Sequence, residues 1–330
     1  MLLTQYRNLA SWAYDKYTPI RARKARVHLN LKKDYNLPYK SNSISISNLT
    51  KDFKKAGLLP TDTIFVRTSL AAANAIEGGC SVYLKALMDF FHDGNIVMSS
   101  YTFNKSPLMY LAENPVFDPA HSVDQLNLVS EFFRRNKNVH RSIHPTHSIV
   151  AWGKDAKWIV KDHHKSDFCY GPNSPFARLY DLNAKEISVG VYPTSLTYHY
   201  IEQFIPKDQP SFRDLPDPIM CRVMLEGKEC LMPFCTTDSF TSILRISDKF
   251  DGTNAAPMHH SISENLDFYI TDLTDQLAAL KKIVKEKGTL HYITNHWKHS
   301  FKKRLLKPLV LAAFFNKKDG ILYPVKEPSK

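Results

Sequence analysis

The sequence lacks the glycine-based motifs that several large enzyme classes need. Only 11 of its 330 residues are glycine. They form no G-x-x-x-x-G-K-[ST] phosphate loop, no G-x-G-x-x-G dinucleotide turn and no G-x-S-x-G nucleophile elbow. These absences argue against a P-loop nucleotidase, a dinucleotide-dependent dehydrogenase and an α/β-hydrolase.

Cysteine pairs and long apolar runs are also missing. The five cysteines are scattered and form no C-x-x-C pair, which fits reduced thiols better than a disulfide framework or a zinc ribbon. The N-terminus has no apolar stretch long enough for a signal peptide. The apolar run Pro308–Phe315 is far too short to span a bilayer. We therefore expect a cytoplasmic protein.

Positive charge is concentrated at the two ends of the chain. Residues 1–40 hold nine Lys/Arg against two Asp, and residues 281–330 hold thirteen against three acidic residues. Residues 41–280 carry a net charge of −5 within the total of +12. Because an enzyme acting on nucleic acid usually carries its positive charge along the groove of its body, no nucleic-acid partner is expected.

This charge distribution predicts three parts: a basic N-terminal extension (1–44), a catalytic body (45–280) and a basic C-terminal extension (281–330). Each Lys or Arg near an anionic leaflet contributes about 1 kcal/mol to membrane binding. The basic ends therefore leave open a peripheral contact with the inner face of the membrane. No oligomeric state follows from the sequence.

Short apolar strands alternate with helical segments along the body, which predicts an α/β sandwich around a mixed sheet. The predicted strands are Thr63–Val66, Asn95–Ser99, Ser148–Trp152 and Ile187–Val191. The predicted helices are Ser41–Leu59, Ser81–Phe91, Val123–Arg135, Asp155–His163, Tyr198–Phe204 and residues 264–287. Residues 218–233 are expected to form a hairpin around Glu226-Gly227.

Three histidines could form a zinc site if they lay on one helix. His140, His144 and His147 have the spacing i, i+4 and i+7. Pro145 lies inside that span and would break the helix. We therefore expect no metal site.

A fourth histidine follows the last predicted strand. His199 lies at a strand-to-helix junction with Glu202 one turn further on, and strand ends in α/β sheets are where sites are built. Histidine can act as a general base because its unperturbed pKa is about 6.5. The alternative is a partly buried histidine that caps a loop.

A series of motifs occurs in order between residues 58 and 202. They are LLPTDTIFVRTSL, EGG, GNIVMSSYTF, FDP, SEFFRRNKNVHRSIHPTHSIVAWG, GPNSPFARLYDL and VGVYPTSLTYHYIE. Together they resemble the aminoglycoside 3-N-acetyltransferase family over roughly residues 45–240. The resemblance implies an α-β-α sandwich around a mixed sheet and acyl transfer from acetyl-CoA, without a metal, to an amino group.

The resemblance also implies residues that bind the coenzyme. The family pattern V-H-S-S-L reads Val66-Arg67-Thr68-Ser69-Leu70 here, so Arg67 replaces the histidine and could meet a phosphate or a carboxylate. R-S-x-H-P is intact, and its Arg141, Ser142 and His144 are expected to hold the pantetheine arm. The remaining coenzyme residue that we predict is Ser100.

His199 occupies the position of the family's catalytic histidine in T-x-L-H-x-x-E. An acceptor amine is protonated in water, so a base must take its proton before it attacks a thioester. Asp238 is the expected acidic partner of His199, with Glu202 as the alternative. Tyr101 and Lys105 are the expected substrate contacts.

The acceptor is expected to be a small-molecule amino sugar. With Arg67, Lys105 and no carboxylate at Thr236, the predicted cleft is poor in the negative charge that a polycation needs. This favours a nucleotide-linked amino sugar for surface polysaccharide. Two alternatives stay open: an aminoglycoside 3-N-acetyltransferase that confers antibiotic resistance, and a non-catalytic membrane-surface binding protein with the same fold.

Overall fold

The computed structural model describes residues 2–17, 44–191, 197–206, 208–209, 217–237, 243–245, 258–263, 266–293 and 296–325. Its strands, in chain order, are β1 (Thr63–Thr68), β2 (Asn95–Ser99), β3 (Val116–Phe117), β4 (His140–Arg141), β5 (Ile149–Gly153), β6 (Lys185–Val189), β7 (Ile219–Leu225), β8 (Lys228–Phe234), β9 (Ile243–Arg245), β10 (Met258–Ser263), β11 (Leu266–Asp272), β12 (His291–Ile293), β13 (Phe315–Lys318) and β14 (Ile321–Pro324).

The helices surround these strands. The α-helices are α1 (Leu2–Tyr17), α2 (Ile46–Lys55), α3 (Leu70–Ala75), α4 (Gly79–Phe90), α5 (Pro107–Ala112), α6 (Leu128–Arg134), α7 (Ala156–Val160), α8 (Pro175–Asp181), α9 (Leu273–Lys287), α10 (His296–Phe301) and α11 (Lys307–Phe314). Two 3₁₀ helices cover His163–Lys165 and Thr197–Phe204, and a π-helix covers Lys302–Leu306.

The central sheet has seven strands in the order β10-β11-β6-β1-β2-β5-β4. β6, β1 and β2 run parallel, whereas β11 and β5 pair with them in the antiparallel direction. Successive residues of β1 face opposite sides of this sheet. Ile64 and Val66 pack with α2, α3, α4 and α6, and Phe65 packs with α7 and α8. Helices thus cover both faces, which confirms the predicted α-β-α sandwich around a mixed sheet.

A second sheet packs against the two ends of the chain. It has five strands, β13-β14-β7-β3 with β8 paired to β7, and β7 and β8 form the predicted hairpin. Ala10 and Ala13 of α1 share one apolar cluster with Val310 and Ala313 of α11. The Arg7 Nε–H donates to the Ala313 carbonyl at 3.1 Å. The described parts of both basic ends are therefore packed together, while the domain boundaries and the membrane contact stay predictions.

The sequence prediction of one helix over residues 264–287 is wrong in its first third. Leu266, Phe268 and Ile270 alternate into the sheet core as part of β11, a period of two that a helix cannot have. Asp272 then caps α9, because its carboxylate accepts hydrogen bonds from the N–H groups of Thr274 and Asp275. The helix consequently begins at Leu273.

Three other helices are shorter than predicted, for local reasons. α2 begins after Ser45, whose hydroxyl accepts the Asn48 N–H. α6 begins after Asn127, because the Asp124 carboxylate first binds the N–H groups of Leu126 and Asn127 in a turn. α7 ends at Val160, and Asp162 two residues later has φ of 59°, outside the helical region.

Candidate active site

The candidate site lies where three parallel strands of the central sheet end. β6, β1 and β2 finish at Val189, Thr68 and Ser99 on the same edge. The Ser69 N–H donates to the Val189 carbonyl at 3.2 Å, which ties two of these ends together. This edge is the usual ligand position in open α/β sheets.

His199 and Glu202 meet on one side of the 3₁₀ helix that follows β6. A 3₁₀ helix has three residues per turn, so side chains at i and i+3 lie directly above one another. The His199 Nδ1 is 3.7 Å from Glu202 Oε1. The Glu202 side chain is fully buried, the His199 side chain is 15% exposed, and the Tyr170 ring stacks on the imidazole at 4.8 Å. Glu202 can therefore orient the imidazole and stabilise its protonated form.

A buried carboxylate that the sequence analysis missed holds this helix on the sheet. Glu186 of β6 accepts the Thr197 hydroxyl at 2.8 Å, and the Thr197 carbonyl accepts the Tyr180 hydroxyl at 2.9 Å. Arg67 is 3.6 Å from the other oxygen of Glu186. The signal in the sequence is an acidic residue directly before the buried Ile187 and Val189 of β6, where an unpaired charge would be costly.

Three buried histidines form a separate cluster near His199. The His163 Nε2–H donates to the Cys169 carbonyl at 2.9 Å, and its Nδ1 is 2.9 Å from the Ser142 hydroxyl. The His144 Nε2–H donates to the Cys235 carbonyl at 3.1 Å, and its Nδ1 accepts the His147 N–H at 3.0 Å. Burial lowers the pKa of all three imidazoles: those of His144 and His147 fall well below the usual value, and that of His163 falls to about 3. They are neutral groups of the core.

Arg141 connects several loops at the same edge of the sheet. Its guanidinium donates to the Ser148 hydroxyl and to the Ser100 carbonyl, at 3.0 and 2.9 Å, and also to the Ser122 carbonyl. Ser142 bonds to His163 and accepts the Ile149 N–H at 2.9 Å. The R-S-x-H-P residues thus shape the walls of the site, and their contact with the pantetheine arm stays a prediction.

The motif Val66–Leu70, at the end of the first strand, lies beside these R-S-x-H-P residues. The Thr68 hydroxyl bonds to the Tyr83 hydroxyl at 2.8 Å, and the Ser69 hydroxyl accepts the Ala72 N–H at 3.1 Å to cap α3, which begins at Leu70. Arg67 is engaged by Glu186, as described above. The structure brings these residues to the same edge as His199, and their contacts with the coenzyme stay predictions.

The two predicted substrate residues follow β2. Tyr101 is buried between Phe103, stacked at 5.5 Å, and His147, edge-on at 5.1 Å, and burial raises the pKa of its hydroxyl. Lys105 forms an ion pair with Glu113. Lys105 is therefore not an uncompensated positive charge.

The predicted acidic partner Asp238 lies outside the described residues, so its role stays a prediction. Thr236, which precedes it, is buried, and its hydroxyl is 3.4 Å from that of Thr146. Of the two candidate partners, Glu202 is the one described beside His199. Within the described ranges, no group of three or more His, Cys, Asp or Glu side chains is placed to hold a metal.

Comparison with known proteins gives the chain its family. The model of the family described as aminoglycoside 3-N-acetyltransferase matches residues 65–275, which is more than half of the chain. The chain belongs to this family. It is an N-acetyltransferase that uses acetyl-CoA as co-substrate, and the non-catalytic alternative gains no support.

Individual relatives are distant in sequence. The chain is 27% identical over 187 residues to aminoglycoside N(3)-acetyltransferase III of Pseudomonas aeruginosa, covering 53% of this chain and 67% of the relative. It is 29% identical over 199 residues to the aminoglycoside N(3')-acetyltransferase-like protein YokD of Bacillus subtilis, covering 55% of this chain and 71% of that relative.

Solved structures share the fold. The sisomicin-bound enzyme AAC-VIa superimposes with a TM-score of 0.58 at 21% identity, covering 74% of this chain and 98% of the other. The complex of AAC-IIIb with CoASH superimposes with a TM-score of 0.58 at 19% identity, covering 74% of this chain and 98% of the other.

In the described parts of this chain, no helix combines the length and apolarity that crossing a bilayer requires.

The site has a group suited to the polar pantetheine arm of acetyl-CoA. The Ser100 hydroxyl is buried and has no hydrogen-bond partner among the described residues. A buried hydroxyl left unpaired costs free energy, so an amide of a bound ligand would be a favourable partner. That Ser100, Arg141, Ser142 and His144 hold this arm stays a prediction.

Proposed function

We propose that this protein transfers the acetyl group of acetyl-CoA to an amino group of an aminoglycoside. The observation that carries the proposal is the His199–Glu202 pair at the carboxyl edge of the sheet, in a chain that belongs to this family. The relative from Pseudomonas aeruginosa is named aminoglycoside N(3)-acetyltransferase III.

In this proposal His199 is the general base. Its Nδ1 is the nitrogen nearest Glu202, which leaves Nε2 to take the proton of the acceptor amine. Glu202 stabilises the imidazolium that forms, because the carboxylate is buried and close. The neutral amine then attacks the thioester, and the imidazolium can return the proton to the departing thiolate.

The charge of the site supports a cationic acceptor better than the sequence alone indicates. Arg67 lies 3.6 Å from Glu186, and Lys105 is paired with Glu113, so neither positive charge is uncompensated. Glu202 adds a further carboxylate beside the base. A polycation would therefore not face the unpaired cations that the sequence analysis assumed.

The second candidate acceptor is the nucleotide-linked amino sugar. The observation in its favour is Thr236, a buried hydroxyl at the position where the family resemblance leads us to expect an acidic residue. A site with fewer carboxylates discriminates less strongly against an anionic sugar.

A thiol-release assay decides between the two. Purified protein with saturating acetyl-CoA is offered a kanamycin-type aminoglycoside or a uridine-diphosphate amino sugar, and kcat/KM is compared. We expect the larger value with the aminoglycoside. A larger kcat/KM with the nucleotide sugar would make that sugar the preferred acceptor. If acetyl is transferred to neither compound, both proposed acceptors are ruled out.

A further inference from the structure

The helical stretch 296–314, formed by α10, the π-helix and α11, has an inner and an outer side. The inner side belongs to the core, because Leu306 and Val310 are at most 1% exposed and share an apolar cluster with strands of the second sheet. The outer side carries Trp297, which is 73% exposed, and Leu305, which is 64% exposed. The core is therefore complete without these two large apolar side chains.

The exposed Trp297 ring rests on the body of the protein. It stacks on the Phe301 ring with 5.6 Å between the ring centroids and 8° between the planes. Phe301 itself packs against the cluster that contains Leu306. Trp297 is thus supported from one side and open to solvent on the other, and indole rings with one apolar and one wet side are enriched at membrane interfaces.

The charge of this stretch is of one sign. Residues 296–314 include five Lys or Arg and no Asp or Glu. The Arg304 side chain is exposed, and those of Lys303 and Lys307 are partly exposed. Cations and exposed apolar groups therefore occur together, with no carboxylate from the stretch itself to offset the charge.

The helix from the other end of the chain adds the same kind of side chain. α1 packs against this stretch, and the Tyr6 hydroxyl donates to the Leu309 carbonyl at 3.2 Å. Leu9 and Trp12 of α1 are each 54% exposed. Two segments from opposite ends of the sequence thus bring exposed tryptophan and leucine side chains to one region of the fold.

We propose that this region docks on the surface of an anionic lipid bilayer. Anionic headgroups attract Lys and Arg, and the interface of a bilayer accommodates indole and leucine side chains. A bilayer therefore matches both features of the region. The contact is peripheral, because no described helix has the length and apolarity to cross a bilayer. The docking surface consists of the apolar side chains Leu9, Trp12, Trp297 and Leu305 and the cations Lys303, Arg304 and Lys307.

Two other partners match the docking surface less well. A duplex nucleic acid would pair with the cations and leave Trp297 and Leu305 in water. A second copy of the chain, joined through a two-fold interface, would bring the same cations face to face, and like charges oppose such a contact. The inference goes beyond acetyl transfer, and it holds whichever acceptor is acetylated.

Flotation with lipid vesicles tests the proposal without catalysis. The purified chain is mixed with vesicles of phosphatidylcholine alone or with phosphatidylserine added, and the bound fraction gives a partition coefficient. Trp297→Ser is expected to weaken binding to the anionic vesicles about tenfold, as for a large apolar side chain that no longer enters the interface. Arg304→Gln should weaken it about fivefold, as for one cation lost near an anionic leaflet.

Leu305→Ser has a matched control in Leu231→Ser. The two leucines are 64% and 65% exposed. Met232, the neighbour of Leu231 on β8, packs on the cluster of Leu306, so Leu231 points to the opposite face of its sheet. Because both variants lose the same exposed side chain, we expect weaker vesicle binding for Leu305→Ser only.

Each variant should keep the unfolding midpoint of the wild type and its rate of acetyl transfer in solution, because none of these side chains belongs to the core or to the candidate active site. Equal partition of the wild type, Trp297→Ser and Leu305→Ser would overturn the proposal. An effect of Arg304→Gln alone would also overturn it and indicate a polyanion such as nucleic acid. So would a dimeric wild type that becomes monomeric in Trp297→Ser by light scattering, because the surface would then join two copies of the chain.

Discussion

His199 and the buried cluster of His144, His147 and His163 show how the same side chain takes opposite roles within one site. In the cluster, His144 and His163 use both ring nitrogens in hydrogen bonds to backbone or hydroxyl groups. His199 instead places Nδ1 near the Glu202 carboxylate. Hydrogen bonds to carbonyl oxygens fix a neutral tautomer, whereas a nearby carboxylate favours the protonated form that a general base must reach.

The largest effect should come from removing the base. His199→Ala is expected to lower kcat about 10²- to 10⁴-fold, the range for loss of general-base catalysis, with CoA binding unchanged. Thiol release and calorimetry measure the two quantities. His92→Ala is the matched control, because His92 is exposed and precedes β2 at the opposite edge of the sheet. Comparable activity in both variants would show that His199 is not the base.

The next largest effect is expected from changing Glu202, which we propose positions His199. Glu202→Gln keeps the shape and removes the charge, and should lower kcat/KM about 10- to 100-fold, as for loss of a charged interaction. Because the imidazolium loses its stabilising carboxylate, the acidic limb of the pH profile should move to lower pH. Glu202→Asp should restore part of the rate. A purely structural role would lower activity without moving the profile.

A smaller effect is expected in the cluster, on stability rather than on rate. His163→Ala leaves the Cys169 carbonyl and the Ser142 hydroxyl without their partner, which should cost about 1–3 kcal/mol of unfolding free energy. Urea denaturation measures this loss. An unchanged midpoint, or a loss of kcat as large as that of His199→Ala in folded protein, would contradict the distinction between the two kinds of histidine.

Per pH unit and per histidine, the smallest effect is the pH dependence of stability. The folded-state pKa of His163, about 3, is below that of an unfolded histidine, about 6.5. Between these values the unfolded chain binds more protons, so stability is lost as the pH falls below about 6.5, by at most about 1.4 kcal/mol per pH unit and per histidine. Urea denaturation at pH 7.5 and pH 5 should show the loss, reduced in His163→Ala and unchanged in His92→Ala.

Local patterns in the sequence were sufficient for much of the fold. Strand-helix alternation predicted the sandwich, and the i, i+3 spacing placed Glu202 on the same face as His199, as the alternative to Asp238 for its acidic partner. Pro145 correctly argued against a helix through the first three histidines. The segment 264–287 failed because the period of two in β11 was read as part of the helix that follows it.

What the sequence could not supply depends on contacts between distant segments. His144 bonds to Cys235, 91 residues away, and Glu186 meets Arg67 on the neighbouring strand. Neither partner is visible from spacing. The pairing of Arg67 with Glu186 was missed for the same reason, because the cation was considered without the carboxylate that folds against it.

The 3₁₀ winding of Thr197–Phe204 constrains how this part of the gene can change. With three residues per turn, inserting or deleting one residue between His199 and Glu202 would swing the carboxylate about 120° away from the imidazole. The turn at Glu226-Gly227, far from the pair in the chain, faces no such angular restriction. Divergence around the base should therefore proceed by substitution alone, while changes in chain length accumulate in the turns.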